Sequence, residues 1–173
     1  MKFQGRQSGV TMVELMIVLS IAAILATLAA PSFSSFINNT RQTSTITEVV
    51  SDLNLARSEA IKRNSWVLVC VRNAAGTNCG TGSNWQKGWL VCYAGAAGAT
   101  SCDAATTDNP NPIRVHQAIN SNLTLTGSAA LVRFNPNGTQ GAGGAATLTL
   151  TGTWSGAQAK VAKIAATGLI SRP

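Results

Sequence analysis

From Val10 to Ala30 every position is apolar except Thr11, Glu14, Ser20 and Thr27, and Glu14 carries the only charge in that run. An α-helix needs about 20 such residues to cross the ~30 Å hydrocarbon core of a bilayer. Helical pattern resumes beyond Pro31, so that proline is expected to kink the helix rather than end it. The wholly polar segment Asn38 to Ser44 marks emergence from the membrane. After it, Ile46, Val49, Val50, Leu53, Ala56, Ala60 and Ile61 recur at three- and four-residue steps. That spacing is one apolar stripe of an amphipathic helix, with Thr47, Glu48, Ser51, Asp52, Arg57, Ser58 and Lys62 on much of the remainder. Taken from Val10 to about Asn64, the helix would be ~80 Å long at 1.5 Å per residue. A β domain is expected against the stripe.

Beyond Asn64 the pattern changes. Trp66 to Val71 is β-branched and apolar on both faces, as in a strand buried between layers. A Gly/Asn/Thr-rich loop, Asn73 to Asn84, separates it from an expected hairpin partner, Trp85 to Tyr93. The loop Ala94 to Pro112 follows, and then strands are expected at 113–119, 123–126, 130–135, 145–151 and 158–165. Thr147 to Thr151 alternates cleanly, which predicts a sheet with one face buried. Asn135-Pro136-Asn137-Gly138 is a strong turn signal. No internal repeat is evident.

Composition fits one modest domain beyond the helix: 173 residues, 45% hydrophobic and 11% charged, with 16 Gly. The net charge of +7 is unevenly distributed. From Asn109 to Pro173 there is no acid, against Arg114, Arg133, Lys160, Lys163 and Arg172. An acid-free basic half invites an anionic partner such as DNA or lipid headgroups. The plainer reading is that sparse cations keep a Gly/Ala-rich surface soluble.

Cys70, Cys79, Cys92 and Cys102 lack the close pairs that zinc sites favour, and only His116 could add an imidazole. A translocated chain meets an oxidising compartment, so disulfides and no metal are expected. Cys70–Cys79 with Cys92–Cys102 is favoured, because each bridge would close the loop leaving a predicted strand. The chief alternative is Cys70–Cys92 across neighbouring strands with Cys79–Cys102 between loops.

The start of the apolar run carries the most specific signal. Gly9-Val10-Thr11-Met12-Val13-Glu14 follows a short polar leader holding Lys2 and Arg6. A secretory signal has a shorter apolar core with small residues after it; here the cut would fall before the core. This resembles the class III leader of type IV prepilins and pseudopilins, in which a membrane peptidase cuts after the glycine and methylates the new amino terminus. The resemblance reaches Pro31. It implies removal of residues 1–9, with Val10 as the methylated first residue. The remaining organisation is then a transmembrane half-helix 10–30, an amphipathic half-helix 31–64 and a periplasmic β domain 65–173. A carboxylate inside a membrane span costs at least ~2.5 kcal/mol and needs a partner. The α-amino group of Val10, on a neighbouring or the same chain, would attract Glu14 strongly in low dielectric, and the resemblance implies that Glu14 serves assembly in this way. Snorkelling to the interface is the simpler alternative.

Arg57-Ser58-Glu59-Ala60-Ile61-Lys62-Arg63, Trp85…Gly88-Trp89 and Phe134-Asn135-Pro136-Asn137-Gly138 are similar to the FimT/FimU/GspH group of minor pilins and minor pseudopilins. That resemblance implies an α+β type IV pilin fold, a long N-terminal helix packed on antiparallel sheets. It also implies a place in the complex that starts the filament and caps its tip. Partners would be other minor pilins, major pilin subunits, the prepilin peptidase and the inner membrane, with pilus or type II secretion pseudopilus left open. DNA-binding FimT proteins share a C-terminal Gly-Arg-x-Arg pattern. The matching segment here is Gly168-Leu169-Ile170-Ser171-Arg172, with leucine in the first arginine's place. Lys160, Lys163 and Arg172 remain as a weaker candidate patch for DNA.

Nothing in the pattern points to catalysis or to a cofactor. His116 is the only histidine, acids are few after Glu59, and Gly141 to Gly144 lacks the lysine and helix of a phosphate loop. Serines and threonines without a base carry no nucleophile signal. Among the tryptophans, Trp66 and Trp89 lie in apolar strands and are expected in the core. Trp85 and Trp154 are read as more open and available for stacking on bases or sugars.

Overall fold

The computed structural model describes residues 9–106, 110–141 and 146–172, and the side chains of 28–32 also lie outside the described set. Two compact units divide the chain, Met1–Ile37 and Asn38–Pro173. Helix α1 (Met12–Arg63) begins in the first and ends in the second. Its assignment runs unbroken through Pro31, whose side chain, and with it the expected kink, lies outside the described residues.

In the second unit the buried side chains of α1 are Gln42, Thr45, Ile46, Val49, Asp52, Leu53, Ala56 and Ala60. These steps of three and four keep one face of the helix turned to the core. The stripe is close to the expected one, but Ile61, assigned to it from spacing, is 52% exposed.

Eight strands follow: β1 (Trp66–Val71), β2 (Trp89–Ala94), β3 (Arg114–Val115), β4 (Leu123–Gly127), β5 (Leu131–Phe134), β6 (Ala146–Gly152), β7 (Lys160–Ile164) and β8 (Ile170–Ser171). They form two antiparallel sheets, β3-β2-β1-β5 and β4-β6-β7-β8. Both sheets and the stripe of α1 share one core, which includes Val67, Val69, Trp89, Phe134, Leu148 and Ile164. As expected, β6 buries Ala146, Leu148 and Leu150 and turns its threonines outward.

Strand β1 is apolar on both faces because it has two cores to serve. Val67, Val69 and Val71 face the main core, whereas Leu68 and Cys70 join Leu90, Cys92, Ala94 and Cys102 in a second cluster. In the β1–β2 ladder Cys70 lies opposite Leu90 and Leu68 opposite Cys92, so the two cysteines are diagonal neighbours on one face. Each bridges to its own following loop: Cys70–Cys79 and Cys92–Cys102. The Asn78 Oδ1 accepts from the backbone N–H of both Cys79 (2.7 Å) and Cys102 (2.8 Å), which ties the two loops together. Loops of this length give roughly 2–3 kcal/mol of stabilisation per bridge in the chain-entropy treatment.

Four expectations change. Trp85–Lys87 is a 3-10 turn rather than the start of β2. Trp85 is fully buried, not open, with Nε1 donating to the Ala129 carbonyl at 3.0 Å and the indole seated against Gly127, where only a glycine leaves room for it. Trp66, expected in the core, is half-buried at its edge. Of the expected strand 113–119, only Arg114 and Val115 form ladder pairs with β2. Ile113 and His116 still donate their N–H groups to the Val91 and Trp89 carbonyls, and beyond them the chain runs against Gly88 (φ +96), where a Cβ would clash with the His116 and Gln117 backbone. Strand β8 was not expected at all.

Polar side chains fasten α1 to both sheets. The buried Asp52 accepts from Trp89 Nε1 at 2.8 Å and from Arg114 Nη1 at 2.7 Å. Glu59 accepts from Tyr93 Oη at 2.5 Å and from Arg63 Nε at 3.1 Å, and the Arg63 guanidinium lies over the Tyr93 ring. Toward the second sheet, Gln42 Nε2 donates to the carbonyls of Leu150 (3.1 Å) and Gln158 (2.9 Å). Arg57 Nε donates to the Gly138 carbonyl at 3.0 Å.

Burial pushes the Tyr93 phenol up, and its bond to the Glu59 carboxylate and that group's charge add to the rise, to about 12. The same bond chiefly holds Glu59 below its ordinary value, against burial and with help from Lys62 and Arg63. Tyr93 is the only tyrosine, so phenolate absorbance follows one group. Its midpoint is expected near 12 in the folded protein and closer to the ordinary ~10 in Glu59→Gln. The raised phenol favours the folded state fully below about pH 10, and that share is lost as pH climbs toward its folded value. The lowered carboxylate favours it above the ordinary carboxylate range and loses that share as pH falls. A folded-state midpoint no higher than that of the unfolded chain would show that the bond does not form.

A second test concerns Gly168 (φ +78), where an added Cβ would sit 2.0 Å from the Gly138 carbonyl oxygen. Gly168→Ala is expected to cost at least about 1–2 kcal/mol from the left-handed backbone alone, read as a lower denaturation midpoint. An unchanged midpoint would mean that the β7–β8 turn is not held against Gly138.

Candidate functional site

The described chain starts at Gly9, around which a Cβ would meet nothing within 4 Å, and continues to an exposed Val10. Thr11 opens α1. Its Oγ1 accepts the Glu14 backbone N–H at 3.2 Å, and its carbonyl accepts from Leu15 N at 3.1 Å. Thr11 is thus the N-cap and Glu14 the third helical residue, which is capping-box spacing with one of its two bonds formed. The carboxylate sits in the first turn, where the helix dipole favours negative charge. Among the described residues no cation pairs with Glu14. The cap was missed in reading the sequence, although Thr-x-x-Glu at the head of an apolar run is the signal that finds it.

Downstream of the cap, Val13, Leu15, Met16, Ile17, Val18, Leu19, Ile21, Ile24 and Leu25 are all more than half exposed. A helix apolar all round has to be covered by lipid or by other protein. Among the described residues no helix is long and apolar enough to cross a membrane. The side chains of 28–32, which close the expected 10–30 span, lie outside the described set.

The three candidate cations separate into two places. Lys160, at the start of β7, and Arg172, just past β8, line one cleft with Thr43, Ile46, Gln158 and Val161. Lys163 is outside that lining, exposed in the middle of β7 opposite Ser171. Leu169, where the uptake pattern has arginine, is 60% exposed.

His116 stacks on Trp89 with ring centroids 4.1 Å apart, and its Nε2 lies 3.5 Å from the Glu48 carboxylate. It therefore packs over the indole that Asp52 holds, as a joint between β3 and α1. The four cysteine Sγ atoms lie within 4.8 Å of one another, close enough for a metal, but all four are consumed by the two disulfides.

Comparison with known proteins matches this architecture. Residues 45–168 match the family described as type II transport protein GspH, and residues 4–30 match the prokaryotic N-terminal methylation motif. A crystal structure of the Pseudomonas aeruginosa PAO1 type IV minor pilin FimU superposes with a TM-score of 0.60 at 20% identity, over 80% of this chain and 92% of that one. A second crystal form of FimU gives 0.56 at 21% identity, over 76% and 91%. At those identities the likeness establishes the fold. No curated protein matches. A methylation motif leading into a helix that docks on two antiparallel sheets places the chain in the GspH family, as a membrane-anchored subunit of the FimT/FimU/GspH type of minor pilins and pseudopilins.

Proposed function

We propose that the protein is a minor type IV pilin that helps prime filament assembly and sits at or near the filament tip. The observation that carries this reading is the capped helix start. It presents an exposed Glu14 in the first turn of an uncovered apolar helix whose continuation holds a compact domain. Before assembly the apolar run spans the inner membrane once, with the C-terminal domain in the periplasm. Prepilin peptidase removes residues 1–9 and methylates Val10. Glu14 then pairs with the α-amino group of Val10 on a neighbouring or its own chain and draws the subunit into register with other minor pilins and with major pilin. The likeness to FimU, a type IV minor pilin, supports the pilus assignment. The role is structural, with no enzymatic step and no cofactor.

The family's description as a type II transport protein supports a second reading, a minor pseudopilin of a type II secretion system. Membrane anchoring and the chemistry of Glu14 are the same in both.

Gly9→Ala is expected to leave a chain with its leader in the membrane, since the cut falls after a glycine whose open surroundings suit backbone approach by the peptidase. Terminal sequencing of filament protein reads the result; a chain in filaments that retains residues 1–9 would sink the processing argument.

Glu14→Ala should leave insertion and cleavage intact, because it makes the run more apolar, and should abolish entry into filaments. If the variant enters filaments at wild-type levels, the α-amino group does not need this carboxylate.

A further inference from the structure

The second unit contains a basic cleft that the assembly role leaves unused. Its volume is about 380 Å³, and Lys160, Arg172, Thr43, Gln158, Ile46 and Val161 line it. Arg172 Nη1 donates to Thr47 Oγ1 at 3.0 Å, which ties the guanidinium to α1 and leaves its other donors without a partner among the described residues. The Lys160 ammonium likewise has no partner among them. The carboxylates of α1 in this unit are engaged elsewhere: Glu48 beside His116, Asp52 with Trp89 and Arg114, Glu59 with Tyr93 and Arg63. Two cations therefore converge on a concave site that no described acid neutralises.

We propose that this cleft binds a phosphate monoanion, of the kind carried by an anionic phospholipid headgroup. Its size is at the small end of the ~300–1,000 Å³ typical of ligand pockets, enough for one phosphate with its glycerol. A guanidinium and an ammonium supply charge-assisted donors for the phosphate oxygens, while Ile46 and Val161 offer apolar wall to the rest of an amphiphile; the Thr43 hydroxyl already donates to the Asn39 carbonyl. Duplex DNA fits less well. A DNA-binding surface contacts about 6–10 phosphates, whereas Lys163 lies outside the cleft and Leu169 stands where the DNA-uptake pattern has arginine. Lipid is the source of such a phosphate that membrane anchoring supplies. That choice of source rests on the anchoring reading; the anion site itself does not.

Calorimetric titration of the full chain in neutral detergent at ~150 mM salt, where exposed charges are screened beyond ~8 Å, tests the site. The probes are dihexanoylphosphatidylglycerol, dihexanoylphosphatidylcholine, inorganic phosphate and a short DNA duplex. Saturable sub-millimolar binding of the phosphatidylglycerol is expected. Lys160→Gln with Arg172→Gln should weaken it at least about tenfold, and Lys163→Gln should leave it unchanged. The Tyr93 titration midpoint reports that the variants remain folded. Phosphatidylglycerol binding tighter than phosphate assigns the site to the headgroup, and equal binding assigns it to the free ion. Saturable binding of neither, equal binding of phosphatidylcholine, or survival of binding in the double variant would overturn the proposal. Submicromolar duplex binding lost on Arg172→Gln would overturn it too and make this a DNA-uptake surface. Loss of filament entry in Glu14→Ala is read separately, so failure of either idea leaves the other standing.

Discussion

Burying a carboxylate on the apolar stripe of a helix costs several kcal/mol unless opposite charge and hydrogen bonds compensate it. Asp52, 2% exposed, receives both, from the Arg114 guanidinium and the Trp89 indole. Those two partners belong to β3 and β2, so satisfying one carboxylate sets the rotation of α1 against the first sheet. The consequences spread from there. Trp89 is held flat beneath His116, His116 is brought toward Glu48, and two turns beyond Asp52 Glu59 meets Tyr93. The ladder of helix carboxylates at Glu48, Asp52 and Glu59 faces the first sheet, and uncharged or cationic groups, Gln42 and Arg57, face the second.

This division explains the residues that carried the family resemblance. Arg57, Gly138 and Gly168 meet at one point: the arginine bonds the Gly138 carbonyl, and that carbonyl lies where a side chain at position 168 would begin. Gly88 and Gly127 do the same for the two tryptophans. A Cβ at Gly88 would strike the His116 backbone next to Trp89, and one at Gly127 would strike Trp85 Nε1. The motif residues at the β domain are therefore close-approach and anchoring positions that dock the helix, not chemistry. The groups we propose to face partners lie elsewhere, at the helix start and in the cleft beside β7 and β8.

The disulfides answer a different need. A domain built on two short-stranded sheets has little apolar material for the outer face of the first one, and Leu68, Leu90 and Ala94 cover it only in part. Two covalent loop closures, joined through Asn78, finish that face. Because both α1 and the bridged loops are engaged with β1 and β2, those strands are the most deeply buried of the domain, with only Trp66 half-exposed.

The sequence by itself determined the order and kind of elements. Helix, strand and turn differ in local period and in Gly/Asn/Pro chemistry, and those signals act within a few residues. The leader motif at Gly9, the apolar run with Glu14, most of the stripe of α1 and the strands expected at 66–71 and 145–151 were legible for that reason. The choice of Cys70–Cys79 with Cys92–Cys102 over Cys70–Cys92 with Cys79–Cys102 was favoured by spacing but left open until the fold brought the loops together. Thr11 was legible too, through its spacing to Glu14, but was overshadowed by the carboxylate. What only the tertiary structure decided are the facts that need distant segments in one place. Trp85 is buried because β4 and Ala129 come to meet it. Strand β8 exists because Ile164 and Lys163 offer an edge to two residues with little strand signal of their own. Lys160 and Arg172 share a cleft, and Lys163 does not, because the β7–β8 hairpin folds back beside α1. No local period encodes the last arrangement; it follows from how the sheet pairs and from where Asp52 and Gln42 seat the helix.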